Sequence, residues 1–208
     1  MEAIDVVKGK CSACPIRHRA VCARCDADEL AELESMKFYR SYDAGQTIVF
    51  AGDRTDFVAS VVVGVATLSH MLEDGRTQMV GLLLPSDFIG RPGREVAAYD
   101  VVATTEVTTC CFRRKPFEAL LERAPHVSQR LLEMTLDELD AARDWMLLLG
   151  RKTAREKIAS LLTILARRGA PDSTARMQGP IMFDVPLTRE SMADYLGLTL
   201  ETVSRQMS

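Results

Sequence analysis

Residues 187–208 read LTRESMADYLGLTLETVSRQMS. Thr188, with Ser191 or Glu190 behind it, supplies a helix cap. Met192, Ala193 and Leu196 fall on one face of the helix that follows, and Gly197 supplies a turn. Leu200 and Val203 then mark the buried face of a second helix, which runs to the last residue. Just upstream, FDVP (183–186) predicts a strand. A capped helix, a glycine turn and a second helix make a compact helical corner. The outer face of the second helix carries Glu201, Ser204 and Arg205 together, at spacings of three and four residues.

Working back from that corner, KTAREKIASLLTILARRG (152–169) has amphipathic helical spacing and closes at Gly169. The loop APDSTARMQGP (170–180) connects the two. A longer helix is predicted over about 125–149, with Leu132, Leu136, Leu139, Met146 and Leu149 as an apolar seam and Gly150 as its end or kink. Between residues 38 and 112 the pattern changes to short runs rich in Val, Ile and Thr, such as FVASVVVGVATLSHML and DVVATTEVTTCCF. Asp74-Gly75 is a hairpin signal within it. Many short strands broken by glycines predict an antiparallel barrel or jelly roll. DADELAELESM (26–36) predicts a helix capped by Asp26 or Asp28, with Leu30 and Leu33 on one face. The fold class is α+β in four parts: a cysteine-rich segment (1–25), a β-roll (26–124), a long helix (125–150) and a helix-turn-helix unit (151–208).

Composition excludes several classes. The chain has 208 residues, 47% hydrophobic and 26% charged, with net charge −3. No apolar run approaches the roughly 20 residues of a membrane span, and MEAIDVVKGK has no secretory pattern. A cytoplasmic protein with no membrane partner is expected. No nucleophile–base pair, glycine-rich phosphate loop or paired-carboxylate motif appears, so an enzyme is not expected.

Thiols stay reduced in the cytoplasm, so clustered cysteines point to metal or redox chemistry before disulfides. Four of the six cysteines lie in CSACPIRHRAVCARC (11–25), and Cys110 and Cys111 are adjacent much later. Two close pairs, Cys11/Cys14 and Cys22/Cys25, suit tetrahedral zinc. Three of them with a distant fourth suit an iron–sulfur cluster. A thiol switch is a third reading, and plain burial suffices for an isolated cysteine such as Cys25 or Cys111. Arg17, His18, Arg19 and Arg24 lie among the thiols, where positive charge would favour thiolate.

The order of parts resembles the CRP/FNR family of bacterial transcription regulators: a β-roll sensor, a long dimerisation helix and a C-terminal winged helix-turn-helix. CSACPIRHRAVC resembles the FNR branch, in particular its FnrL/FnrN-type oxygen sensors. The resemblance implies a [4Fe–4S] cluster held by Cys11, Cys14, Cys22 and one cysteine of EVTTCCFRR, which the family pattern places at Cys110. Cys111 would then point to the opposite face of the strand, and Cys25 has no counterpart. An alternative within the family is a FixK-like regulator without a cluster, working through zinc or thiols.

Relatives that bind cyclic nucleotide use a glutamate after a Phe-x-Gly turn and an arginine with a serine or threonine further on. Here PSDFIGRPG (85–93) places Arg91 at the glutamate, and VAAYD (96–100) places alanines at the phosphate-binding pair. A phosphate buried there would lack compensation for desolvation, so no cyclic nucleotide is expected. His70 and His126 are isolated and read as ordinary structural or surface residues.

Glu201, Ser204 and Arg205 match the FNR-type recognition helix, which implies DNA as a partner at TTGAT-like inverted repeats, a homodimer, and RNA polymerase at the promoter. The chemistry agrees: Glu accepts from cytosine N4, Arg pairs with guanine, and Ser reaches a base or phosphate. The family continues past this helix into a wing, so the sequence reads as ending inside its DNA-binding unit. Ala142 stands where FNR relatives carry an aspartate, which implies a dimer less dependent on the cluster.

Overall fold

The structure is a computed structural model that describes residues 9–71, 73–75, 77–169 and 182–208. The loop predicted over 170–180 lies outside the described residues. Two short 3-10 turns, Cys11–Ala13 and Val21–Arg24, precede helix α1 (Ala27–Met36). Asp26 caps α1: its side chain accepts from the Glu29 N–H at 2.9 Å, while Glu29 Oε2 accepts from the Asp26 N–H at 2.9 Å. This reciprocal pair satisfies two amides that the first turn otherwise leaves free.

Eight strands follow: β1 (Lys37–Tyr42), β2 (Thr47–Val49), β3 (Phe57–Val63), β4 (Ala66–Met71), β5 (Thr77–Leu83), β6 (Phe88–Ile89), β7 (Asp100–Ala103) and β8 (Val107–Arg113). They form two antiparallel four-stranded sheets, in the orders β1-β8-β3-β6 and β2-β7-β4-β5. The Asp-Gly signal falls between β4 and β5, which pair as a hairpin. Gly64 turns β3 into β4 at φ 88°, where a β-carbon would stand 2.0 Å from the Glu106 carbonyl oxygen. Only glycine fits that approach.

The core between the sheets contains Phe57, Ala59, Val61, Leu83, Val101 and Cys111. The outer face of the first sheet is also covered. Val58, Val62, Cys110 and Phe112 share a second apolar cluster with Ile16, Val21, Leu33, Phe117 and Leu120. With both faces of this sheet covered, six consecutive residues are buried in each of β3 and β8, without the in/out alternation of a half-exposed strand.

Helices α2 (Arg114–Arg123) and α3 (Pro125–Arg151) lead to α4 (Ala154–Gly169), α5 (Arg189–Leu196) and α6 (Leu200–Gln206). Helix α3 runs through Gly150 to Arg151 without a break, because nothing crowds that position and its backbone stays helical. Of its predicted seam, Leu132, Leu136, Leu139 and Met146 are exposed. Leu149 instead turns into the helix-turn-helix core with Leu161, Met192, Leu196 and Val203. No strand forms over 183–186. Pro186 lacks the N–H a ladder needs, although Phe183 and Val185 still cover the apolar cluster. The same cluster includes Val65, Leu82 and Leu84, so the helix-turn-helix unit lies against the β-roll.

Candidate metal centre and nucleic-acid interface

Strand β8 settles which way its two cysteines face. Cys110 pairs across to Tyr39 and Ser60, whereas Cys111 pairs to Phe38 and Ala59. Side chains alternate along a strand. Cys111 therefore enters the core between the sheets, where its sulfur lies 3.2 Å from Thr109 Oγ1. Cys110 points outward, beneath the cysteine-rich segment.

That segment folds back over Cys110. In each 3-10 turn a cysteine carbonyl accepts from the N–H three residues on: Cys14 to Cys11 at 3.3 Å and Cys25 to Cys22 at 3.2 Å. The Cys11 N–H donates to Glu34 Oε2 at 3.0 Å, which ties the first turn to α1. Arg24 pairs with Glu133 of α3 at 2.9 Å, which ties the second turn to the long helix. As a result Cys11, Cys14, Cys22 and Cys110 line one small cavity with Ile16, Ala20, Leu33, Tyr39, Ser60 and Phe112. Its volume is about 10 Å³. Cys25 is buried in the same apolar cluster but does not line the cavity.

Burial pushes the thiols of Cys11, Cys22, Cys25 and Cys110 up. Cys22 rises to about 11, through desolvation first and the neighbouring Cys14 and Cys11 second. Cys110 rises by desolvation and by the three N-terminal thiols. Cys25 rises to about 12, mainly through burial. Cys11 rises less freely, because the Lys37 ammonium opposes its desolvation. Lys37 Nζ lies 3.4 Å from Cys11 Sγ and donates to the Gly9 carbonyl at 2.8 Å. Sequence reading missed Lys37, Tyr39 and Glu34. Lys37 and Tyr39 belong to β1 and meet the thiols only through strand pairing, and no local spacing signals that.

Among the described residues no three Cys, His, Asp or Glu side chains converge as the ligands of a single metal ion. The donor set nevertheless fits a thiolate-held cluster. Cys11, Cys22 and Cys110 are buried thiols whose thiolate forms need a positive group among them. Ser60 Oγ, which lines the same cavity, is buried without a hydrogen-bond partner among the described residues.

A larger groove, about 1190 Å³, separates the β-roll from α3 and is lined by Arg91, Ala97, Ala98, Tyr99 and Leu132, among others. The Arg91 carbonyl accepts from the buried Arg114 at 2.6 Å, and the Ala97 N–H donates to the Asp53 carbonyl at 3.0 Å. His70 packs edge-on against Tyr99, and His126 bonds Glu29 at 2.8 Å.

At the other end, Thr188 caps α5 by accepting from the Ser191 N–H, and Thr199 caps α6 by accepting from the Thr202 N–H. Gly197 turns between them at φ 58°. Met192, Ala193, Leu196 and Val203 are buried. Leu200 is 47% exposed, contrary to its expected place on the buried face; as the first residue of α6 it faces outward, and Val203 one turn on supplies the contact. Glu201 and Arg205 are exposed and Ser204 is half-buried. The Glu201 carboxyl is held below its usual range by its own backbone N–H and by the Thr199 hydroxyl, so it stays an acceptor. Trp145 of α3 stacks on Tyr195 at 3.7 Å between ring centroids, and Lys157 Nζ donates to the Leu196 carbonyl at 3.1 Å. These contacts hold the corner to its neighbours.

A two-sheet roll, a long helix and a helix-turn-helix in this order define a DNA-binding regulator rather than an enzyme. Residues 39–124 match the cyclic nucleotide-binding domain and residues 156–208 match the Crp-like helix-turn-helix domain. The chain belongs to the CRP/FNR family of transcription regulators. It is 70% identical over 205 residues to the transcriptional activator protein FnrL of Cereibacter sphaeroides, covering 99% of this chain and 83% of that one. It is 40% identical over 202 residues to the nitrogen fixation regulation protein FixK of Bradyrhizobium diazoefficiens, covering 94% and 81%. The solved structure of FixK2 from Bradyrhizobium japonicum superposes with a TM-score of 0.71 at 33% identity, over 82% of each chain. No helix among the described residues is long and apolar enough to cross a membrane.

Proposed function

We propose that this chain is a cytoplasmic, oxygen-responsive regulator that holds a [4Fe–4S] cluster on Cys11, Cys14, Cys22 and Cys110. As a homodimer it binds a TTGAT-like inverted repeat under low oxygen and meets RNA polymerase at the promoter. The observation that carries the reading is the shared cavity of one β8 thiol and three thiols of the N-terminal segment. Cys11, Cys14, Cys22 and Cys110 would hold the cluster, which would supply redox-active iron as the oxygen-sensitive group. The chain's own residues do the rest. Lys37 places positive charge beside Cys11, and Arg24 holds the segment to α3 through Glu133. Cyclic nucleotide is not part of this reading, because alanines (Ala97, Ala98) stand at the phosphate-binding pair and Arg91 stands where a glutamate would hold the ribose.

The test is anaerobic purification with counts of iron and acid-labile sulfide, then binding to the repeat before and after air at one salt concentration. A brown protein whose affinity falls in air is expected. Equal binding sinks the oxygen switch and leaves DNA binding standing. A colourless protein, metal-free or zinc-loaded, favours the FixK-like alternative, to which the 40% identity lends weight.

On the DNA side, the proposed roles are Glu201 accepting from cytosine N4, Arg205 pairing with guanine, and Ser204 reaching a base or phosphate; the exposure of Glu201 and Arg205 supports them. Arg205→Ala should cost about 1–3 kcal/mol on the intact repeat. The loss should shrink on a repeat whose half-site guanine is changed, as read by fluorescence anisotropy. An equal loss on both would make Arg205 a phosphate contact.

Dimerisation rests on Leu132, Leu136, Leu139 and Met146, which a single chain leaves exposed along α3. Ala142 puts no charge on that helix. Sedimentation of cluster-bound and cluster-free protein at equal concentration should show dimers in both; a strictly monomeric cluster-free form refutes this.

A further inference from the structure

The connection from β5 to β6, Leu84-Pro85-Ser86-Asp87, is a turn closed by the Asp87 N–H donating to the Leu84 carbonyl at 2.9 Å. Ser86 adopts φ 86°, the only non-glycine residue at positive φ among the described residues. A β-carbon is strained there, and such strain persists where the surroundings over-determine it. The turn aims one side chain. Asp87 Oδ2 accepts from the Leu84 N–H at 2.8 Å, and Oδ1 is left facing Arg168 Nη2, with which it forms an ion pair. Arg168 lies in the last turn of α4, the helix that carries the helix-turn-helix unit.

A third element reaches the same point. The Arg168 carbonyl accepts from Arg19 Nη1 at 3.4 Å, and the Arg19 carbonyl accepts from Arg130 Nη2 of α3 at 2.5 Å. Arg19 lies within the cysteine-rich segment, three residues before Cys22. Beside this polar junction, Val65, Leu82 and Leu84 of the β-roll share a buried apolar cluster with Met192, Tyr195 and Leu196. The apolar contact is non-directional and tolerates sliding. A half-buried charge pair is directional, and each charge is costly without the other.

We propose that Asp87, Arg168 and Arg19 are positioning residues for the recognition helix. Asp87 and Arg168 set the register of the helix-turn-helix unit on the β-roll. Arg19 carries the placement of the cysteine-rich segment directly to α4, beside the route through α3. The inference rests on the reading of α6 as the DNA-contacting helix. Two recognition helices must enter successive major grooves about 34 Å apart, so a unit free to slide loses its preference for one half-site spacing.

Asp87→Asn, Arg168→Ala and Arg19→Ala test this in the full chain. Two quantities are read: hydrogen exchange of the amides over 189–206, and affinity for repeats of native spacing and of spacing one base pair longer. Each single variant should exchange roughly tenfold faster over 189–206 while β3 and β8 stay protected. The affinity penalty for the longer spacing should shrink. Unchanged exchange and an unchanged spacing penalty in Asp87→Asn and Arg168→Ala overturn the proposal. So does exchange that rises equally across the β-roll, which marks plain loss of stability. A silent Arg19→Ala beside two active variants removes the arm to the cysteine-rich segment. If the parent chain binds neither repeat, the DNA reading fails, and the exchange measurement still decides whether the junction clamps the unit.

Discussion

Anaerobically prepared Cys110→Ser protein should retain no iron–sulfur cluster, and Cys111→Ser should retain it in full. The two residues are neighbours of the same chemistry, so only orientation separates them. Cys110 lies opposite Tyr39 and Ser60 on the outer face of the sheet and lines the cavity with Cys11, Cys14 and Cys22. Cys111 lies opposite Phe38 and Ala59 inside the roll, with no exposed surface. A serine at 111 keeps a small side chain next to Thr109, which offers its hydroxyl a hydrogen bond. Cys25→Ser should also keep the cluster, since Cys25 stands outside the cavity. Iron and sulfide counts on the three variants decide this. Retention in Cys110→Ser with loss in Cys111→Ser would mean that β8 pairs one residue out of the register described here.

Phe117→Ala should cost about 3–5 kcal/mol of unfolding free energy, the range for truncating a fully buried aromatic side chain. Phe117 is 0% exposed. Its ring stacks on Phe112 at 5.5 Å and on Phe88 at 5.7 Å between centroids. It thereby fixes α2 to the outer face of the first sheet, in the same apolar cluster that holds the cysteine-rich segment. Phe117→Leu refills most of the volume and should lose markedly less. Urea unfolding of the metal-free chain measures both, and a loss under about 1 kcal/mol for the alanine variant would show that the cluster collapses around the gap. Because this layer also carries Cys11 and Cys22, the alanine variant should retain less of the proposed iron–sulfur cluster.

Local chemistry made much of this protein legible from its residues. Thr188 and Gly197 mark the start and end of α5 because capping and left-handed turns depend on one or two side chains. Asp26 and Glu29 announce α1 in the same way. The long helix and the strand-rich middle follow from spacing, the four clustered N-terminal cysteines stand in the sequence itself, and the choice of three among them is what the family resemblance implies.

Tertiary structure decided what local chemistry leaves degenerate. Leu149 has the spacing of the α3 seam, yet the helix-turn-helix core is nearer and takes it. Phe183 and Val185 look like strand residues, but no partner strand is described beside them and Pro186 cannot donate. Whether Cys110 or Cys111 faces the N-terminal thiols depends on strand register, where a shift of one residue exchanges the two faces. Lys37, Asp87 and Arg168 act on residues tens of positions away. A sequence names donors and charges, whereas their pairing is chosen only when buried surfaces bring distant segments together and make an unpaired charge costly.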